Sequence, residues 1–189
     1  DYKKGLKYLS KSHNLVCTGE TDPDSFKTLN NFYDPNILEK YIDKDKLNLF
    51  LLMNSDVFIG QHSGPHGIAS SVGTRRILLC DSFPFFQGSF LRSTLICQKR
   101  VMDKLTNTEI TLFDLLKNHE EVIYGKIDPS KYYLKSNTEE EIYLSIKEMI
   151  NPELNKKDQD LIDEYYQLVS NYKILLKLQG NRPPLCKLK

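Results

Sequence analysis

The chain has 189 residues, of which 40% are hydrophobic and 27% are charged. This length and composition exclude a mostly disordered chain and are typical of a single globular domain. The formal net charge of +1 gives no electrostatic reason to expect binding to nucleic acid.

No run in the sequence approaches the roughly 20 apolar residues that a membrane-spanning helix requires. We therefore expect no transmembrane segment, and a location in the cytoplasm or at the inner membrane surface. The cysteines are too far apart in sequence for a CxxC metal or redox motif. Three of them lie in apolar runs, which favours buried thiols in a reducing compartment, although their even number leaves disulfides open. The cysteines are Cys17, Cys80, Cys97 and Cys186.

The first part of the chain contains two predicted helices and one predicted strand. Residues 2–9 carry apolar side chains at helical spacing, and residues 15–18 form a short apolar run that indicates a buried strand. Residues 20–36 are polar and contain Asp-Pro turn signals. An amphipathic helix is predicted over residues 44–54, with Phe50 on its apolar face.

A strand over residues 56–60, a helix over residues 65–72 and a strand over residues 76–81 follow one another in the middle of the chain. This order is a βαβ crossover, which implies parallel strands in one sheet. The apolar runs within both strands do not alternate with polar residues, as expected for strands covered on both faces. The sequence therefore predicts an α/β fold with a Rossmann-like parallel sheet flanked by helices.

Beyond residue 81 the predicted elements are shorter and more scattered. We expect one domain over residues 1–180 and an extended tail over residues 181–189. A capping box formed by Asn137 and Glu140 predicts the start of another helix. The remaining predicted elements are a short helix over residues 111–117, strands over residues 122–124 and 132–134, and a long helix over residues 161–175.

Residues 60–67 carry the features of an anion-binding turn. The helix after the first strand of the crossover is expected to begin at Pro65, which suits a first helical position because it lacks an N–H group. The other amides of a helix start point outward at the positive end of the helix dipole, where phosphates bind. In an open α/β sheet this turn lies at the carboxyl end of a strand, where such folds bind ligands. The expected ligands of the anion are the amides of Gly64, His66 and Gly67 and the hydroxyl of Ser63.

The same segment is open to other interpretations. A tight strand-to-helix turn whose glycines serve only its geometry explains the pattern equally well, and the absence of a lysine after the glycines disfavours a Walker A loop. His62 and His66 are four residues apart, but a Gly-Pro pair separates them and no third ligand is near, so we expect no bound metal. A hydrogen bond from the His66 imidazole to a phosphate is the better use of this side chain. Ser63 does not lie in the G-x-S-x-G elbow of a hydrolase.

The segment from Ser55 to Gly73 resembles the donor-site motif of GT-B glycosyltransferases, including heptosyltransferase-like enzymes. A closer likeness is to bacterial glycosyltransferases of surface-polysaccharide synthesis, and it covers most of residues 1–180. It includes a lysine after a short apolar run, here Lys99. The chain departs from the pattern at residues 17–18, where a basic residue is expected. The matching residues of the motif are Ser55-Asp56-Val57-Phe58-Ile59-Gly60, Ser63-Gly64-Pro65, Ile68-Ala69 and Gly73.

The resemblance implies a GT-B fold, in which two Rossmann-like domains face a cleft and the C-terminal one holds most of the nucleotide sugar. This chain matches that C-terminal half. The implied function is transfer of a sugar from a nucleoside diphosphate sugar to a hydroxyl acceptor in glycan or surface-polysaccharide synthesis, without a metal or other cofactor. The implied substrate-binding residues are Gly60, Gln61, His62, Ser63, Gly64, His66, Gly67 and Lys99.

The same resemblance places the general base in a missing N-terminal half. We therefore assign no catalytic residue and expect the isolated half to be inactive. The aromatic segment 83–86 is expected either to pack against that missing domain or to line the cleft and stack on a base. Two alternative functions remain open at this point: another GT-B-fold enzyme such as a nucleotide-sugar epimerase, or a non-catalytic interaction domain on the same fold.

Overall fold

The structure, a computed structural model, describes residues 1–18, 23–82, 94–111, 114–115 and 127–151, together with residues 160, 163 and 167. The aromatic segment 83–86, the strand predicted over residues 122–124 and the tail over residues 181–189 lie outside the described residues. So do most residues of the helices predicted over 111–117 and 161–175.

The described elements form an α/β arrangement in which helices precede, connect and follow the strands. Two short 3₁₀ helices, Pro23–Phe26 and Pro35–Leu38, flank the second strand. In chain order the main elements are α1 (Lys3–Leu9), β1 (Leu15–Val16), β2 (Phe32–Tyr33), α2 (Lys44–Met53), β3 (Val57–Gly60), α3 (Gly64–Val72), β4 (Arg76–Ser82), β5 (Thr94–Gln98), β6 (Arg100–Asp103), β7 (Tyr132–Lys135) and α4 (Glu139–Ile150).

The central sheet contains three parallel strands in the order β3-β4-β5. Val57 lies opposite Arg76 in the first pair of strands, and Ile77 lies opposite Thr94 in the second. Helix α3 connects β3 to β4, as the βαβ pattern predicts. The α/β class and the parallel arrangement of these strands are therefore confirmed.

Helices cover both faces of the central sheet, and each face has its own core cluster. Successive residues of β4 alternate between the two clusters, which explains why this strand is apolar along its length. Burial of each Leu or Ile side chain contributes about 1.5–3 kcal/mol. The cluster beneath α1 and α4 contains Leu9, Leu78, Cys80, Ile142, Ile146 and Met149. The cluster beneath α2 and α3 contains Leu52, Phe58, Ala69, Ile77 and Leu79.

Helices α1 and α4 are far apart in sequence but pack closely against each other. A Cβ atom added at Gly5 would collide with the terminal methyl group of Ile146, so a larger residue at this crossing would require the Ile146 side chain to move. The rings of Tyr8 and Tyr143 meet edge to face with 5.8 Å between their centroids. This contact joins α1 to α4, the two helices that cover one face of β4 and β5.

Two sequence-based predictions about the first half of the chain are wrong. The apolar run at residues 15–18 is not a buried strand, because β1 pairs only with β2 among the described strands and Val16 is 40% exposed. Helix α2 buries Leu47 and Leu52 but leaves Phe50 62% exposed. The buried stripe of α2 is rotated relative to the predicted one, because the position of the sheet decides which side of a helix is covered.

The last described strands form a separate antiparallel pair, β6 with β7. Val101, Leu115 and Tyr132 make a small core cluster beside this pair. Within the described part of the chain, no helix combines the length and apolar character needed to cross a bilayer.

Candidate anion-binding site

The loop between β3 and α3 lies at the carboxyl edge of the central sheet. β3 ends at Gly60, and because the three strands are parallel, the ends of β4 at Ser82 and of β5 at Gln98 lie along the same edge. Helix α3 begins at Gly64, one residue earlier than predicted, so Pro65 occupies the second helical position. The loop therefore has the position at which open α/β sheets bind ligands.

The start of α3 has no side-chain cap from its own N-cap residue. Ser63 occupies the N-cap in an extended conformation, but its hydroxyl donates a 3.2 Å hydrogen bond to the carbonyl of Gln61 instead of serving the helix. The first turn contains no acidic residue, and Pro65 has no N–H. The positive end of this helix dipole is thus not neutralised by a carboxylate from its own first turn.

The backbone hydrogen bonds define which amides can reach a ligand. The N–H of Gly67 donates to the carbonyl of Ser63 at 3.2 Å and so makes the first intrahelical bond. The expectation that this amide points out of the helix is therefore wrong. The amides of Gly64 and His66 precede that bond, and helix geometry provides them with no acceptor four residues earlier. These two amides are the donors that the helix start presents to an anion.

The side chain of His66 belongs to the core beneath α3. It is only 4% exposed, its ring lies 6.5 Å from that of Phe58, and its Nε2 atom is 3.1 Å from the hydroxyl of Ser70. Burial lowers the pKa of His66, and neighbouring His62 lowers it further. The imidazole is therefore neutral at pH 7 and is not placed to donate to a phosphate. Its Nδ1 atom is buried and makes no hydrogen bond in the structure.

His62 is exposed in the loop, with its ring centroid 5.2 Å from that of His66. The two histidine rings therefore lie close together, although a Gly-Pro pair separates the two residues in sequence. Among the described residues, His, Cys, Asp and Glu side chains form no group of three or more that could hold a metal ion.

The glycines of the loop have different structural roles. A Cβ atom at Gly60 would lie 3.0 Å from the ring of Phe58, so packing accounts for glycine at this position. A Cβ atom at Gly64 or at Gly67 would meet nothing within 4 Å. No atom of the described residues therefore obstructs a side chain at Gly64, and a larger residue there would not disturb the described core.

Asp56, which precedes β3, lies at the opposite edge of the sheet from the candidate loop. Its carboxylate is 3.2 Å from the guanidinium of Arg76 and 3.8 Å from that of Arg75. Its backbone carbonyl also accepts a hydrogen bond from the N–H of Arg76 at 3.1 Å. The acidic residue of the motif thus joins the beginnings of β3 and β4 and does not face the anion site.

Lys99 follows the last residue of β5 and lies at the same edge as the loop. Its N–H donates to the carbonyl of Ser82 at 2.8 Å. Gly60 lies in register with Leu79 and Ile96, so Lys99 is two strands across from the end of β3 and three residues further along. At about 4.8 Å per strand and about 3.3 Å per residue, its backbone lies about 14 Å from Gly60. This span matches a ligand larger than a single phosphate group.

Asn137 links the ends of β4 and β5, a role that sequence reasoning missed. Its N–H donates to the Asp81 carboxylate, and its side-chain oxygen accepts from the Asp81 N–H; each of these bonds is 2.7 Å long. Its Nδ2 also donates to the carbonyl of Gln98. Asp81 has a φ of 51°, an uncommon conformation for a residue other than glycine. The predicted capping box of Asn137 and Glu140 is wrong by one residue, since Thr138 caps α4 together with Glu141.

Comparison of the chain with protein-family models, with curated proteins and with solved structures finds no match. The described residues define an α/β protein whose parallel sheet has, at its carboxyl edge, a glycine-containing helix start without a side-chain cap. A helix start of this kind has the chemistry to bind a phosphate group through backbone amides.

Proposed function

We propose that this chain is the donor-binding, Rossmann-like domain of a GT-B-type glycosyltransferase, which binds a nucleoside diphosphate sugar and transfers the sugar to a hydroxyl acceptor. The observation that supports the proposal most is the start of α3, where the Gly64 and His66 amides lie at the carboxyl edge of the sheet and no described atom would meet a Cβ at Gly64 within 4 Å. The resemblance of residues 55–73 to the GT-B donor motif adds the nature of the anion, a diphosphate.

In this proposal the amides of Gly64 and His66 bind the diphosphate as its charge develops. The bond between the anomeric carbon and the diphosphate oxygen breaks, and its electron pair leaves with the diphosphate. The acceptor hydroxyl oxygen forms the new bond to the anomeric carbon and loses its proton to a general base. Donors fixed before the reaction stabilise the leaving group because they need no reorganisation as charge appears. Lys99, on the same edge, supplies a positive charge toward the far end of the ligand.

The general base in this proposal comes from a second Rossmann-like domain across the cleft. No residue of the described chain is assigned as catalytic, because the candidate site contains helix-start amides and histidines but no carboxylate aimed at an acceptor. The domain alone is then a binding unit: it holds the nucleotide sugar, and turnover needs both domains.

Isothermal titration calorimetry with UDP, GDP, ADP and CMP, and with sugar derivatives of each, tests the proposal. The wild-type chain should bind one of these series, and Gly64→Leu should weaken that binding at least about tenfold, or about 1.4 kcal/mol. The matched control is Ser71→Ala, which alters an exposed residue in the last turn of the same helix. It should bind like the wild type.

Two results would contradict the proposal. One is that none of the nucleotides binds; the other is that Gly64→Leu binds as the wild type does, as expected for an interaction domain that does not use this site. Because a Cβ at Gly64 meets nothing within 4 Å, a folded Gly64→Leu protein is expected, and its melting temperature verifies this. Incorporation of solvent deuterium into the bound sugar would instead indicate an epimerase.

A further inference from the structure

Two cysteines lie side by side on neighbouring strands of the central sheet. The register pairs Leu79 with Ile96, and the next residues along β4 and β5 are Cys80 and Cys97. Both side chains pack on the face covered by α1 and α4, Cys80 as a buried member of the core cluster and Cys97 as a partly buried residue against it. Neighbouring strands lie about 4.8 Å apart, within the Cα–Cα range of about 4.4–6.8 Å over which disulfides form.

The two thiols have different surroundings. Cys80 is fully buried, whereas Cys97 is partly exposed and its sulfur lies 2.8 Å from the hydroxyl of Ser145. Hydrogen bonds from Cys80 and then from Ser145 lower the pKa of the Cys97 thiol. The contact with Cys97, together with burial, raises the pKa of Cys80. Cys97 is therefore the more exposed of the two residues and the one whose thiol pKa is lowered, whereas Cys80 is buried.

This arrangement matches the chemistry of a peroxide-sensitive thiol pair, in which an accessible thiolate reacts first and a neighbouring thiol resolves the product. We propose that Cys97 and Cys80 are an oxidation site for hydroperoxides, in which Cys97 is the reacting residue, Cys80 is the resolving residue, and the product is a disulfide between β4 and β5. The proposal is independent of nucleotide binding.

The reaction has two steps. The Cys97 thiolate attacks the outer oxygen of a hydroperoxide; the O–O bond breaks, sulfur becomes a sulfenic acid, and the peroxide is reduced to an alcohol or to water. The Cys80 sulfur then attacks the Cys97 sulfur, the S–O bond breaks, and water leaves with the proton of the Cys80 thiol. Overall, two thiols lose two hydrogens and one hydroperoxide is reduced. Two equivalents of a low-molecular-weight thiol reduce the protein disulfide through a mixed disulfide and are themselves oxidised to a disulfide.

The position of the pair connects its oxidation state to the carboxyl edge of the sheet. Cys80 directly precedes Asp81, and Cys97 directly precedes Gln98; Asn137 makes hydrogen bonds to both of these neighbours. A disulfide would therefore lock β4 to β5 at the point where Asn137 already joins them and where the strand register shifts.

The test uses the full chain, reduced and then treated with hydrogen peroxide in small molar excess. Without alkylation, intact mass spectrometry should show an oxidised chain about 2 Da lighter than the reduced chain. After alkylation of free thiols, the oxidised chain should carry two fewer alkyl groups than the reduced chain. Tandem mass spectrometry should identify a crosslinked peptide pair containing Cys80 and Cys97. Dithiothreitol should return both residues to the reduced form.

Three variants sharpen this test. Cys97→Ser should abolish the crosslink, and Cys80→Ala should leave a sulfenic acid on Cys97 that dimedone captures. The matched control is Cys17→Ser, at the residue that directly follows β1. This variant should form the crosslink as the wild type does. A wild-type chain in which Cys97 stays reduced, or in which it passes to a sulfinic acid without a crosslink to Cys80, would overturn the proposal. This measurement on the wild type decides the matter even if a variant does not fold.

Discussion

The starts of helices α3 and α4 differ in the side-chain caps and acidic residues at the positive end of the helix dipole. At α4, Thr138 and Glu141 form a complete capping box, and the first turn carries three glutamates. The hydrogen bond from the Thr138 N–H also lowers the pKa of Glu141, which keeps this carboxylate charged. At α3, the serine hydroxyl turns away from the helix and no acid follows it. The start of α4 is capped by side chains of its own first turn, whereas the start of α3 has no cap of this kind.

This difference has an energetic meaning. A side-chain cap stabilises a helix by about 0.5–2 kcal/mol, and a carboxylate in the first turn adds about 0.3–1 kcal/mol. The chain obtains both at α4 and neither at α3, although Ser63 is a residue type that caps helices well. The missing stabilisation at α3 is what a bound anion would provide.

The largest expected effect comes from making α3 resemble α4. Ser63→Asp places a carboxylate at the N-cap, where it accepts from the helix amides and repels a phosphate. We expect the nucleoside diphosphate to bind at least about 30-fold more weakly, or about 2 kcal/mol, while the melting temperature rises. Calorimetry and thermal denaturation measure the two changes.

Ser63→Asn is the matched control, since asparagine also caps helices but carries no charge. It should weaken nucleotide binding less than Ser63→Asp does. Equal affinities in the wild type and in Ser63→Asp would show that the helix start does not hold the anion.

The second prediction makes α4 resemble α3. Thr138→Ala removes the capping hydroxyl and should lower the free energy of unfolding by about 1 kcal/mol. Nucleotide affinity should not change, because α4 already neutralises its own start with glutamates. Urea denaturation measures the stability change, with Thr106→Ala in an exposed turn as a control. A loss of nucleotide affinity in Thr138→Ala would show that the anion binds at α4 and not at α3.

The smallest expected effect concerns His66, which lies at the start of α3 with a lowered pKa. The folded chain binds a proton at His66 less readily than the unfolded chain does, in which the histidine has its ordinary pKa of 6.5. The contribution of His66 to the free energy of unfolding is therefore complete above the unfolded pKa, and it decreases as the pH falls toward the folded pKa. His66→Gln, which does not titrate, should show a weaker decrease between about pH 7 and about pH 5.5. Identical decreases in both proteins, measured by urea denaturation, would remove His66 as the cause.

The sequence predicts the βαβ unit well because its signals are local. Apolar runs without alternation mark β3 and β4, and Gly-Pro at residues 64–65 marks the start of α3 within one residue. These signals depend only on backbone preferences and on strands being covered on both faces.

Other features depend on how distant segments meet, and the sequence does not contain them in local form. The exposure of Phe50 follows from the position of the sheet beneath α2, and the burial of His66 follows from its contact with Phe58. The hydrogen bonds of Asn137 join residues 39 and 56 positions away. By contrast, the S/T-x-x-E pattern of Thr138 and Glu141 is a local signal, but the preceding Asn137 also fits an N-cap and has Glu140 three residues after it, so the sequence alone leaves two registers for this cap.

The most direct test of the central claim is a titration of the ¹⁵N-labelled chain with the nucleoside diphosphate that calorimetry selects, followed by amide NMR spectra. The account predicts that the amide signals of Gly64 and His66 shift most, that Gly67 shifts less because its N–H is already bonded to Ser63, and that the start of α4 is unaffected. The largest shifts at α4, or saturable binding that leaves Gly64 and His66 unchanged, would contradict it.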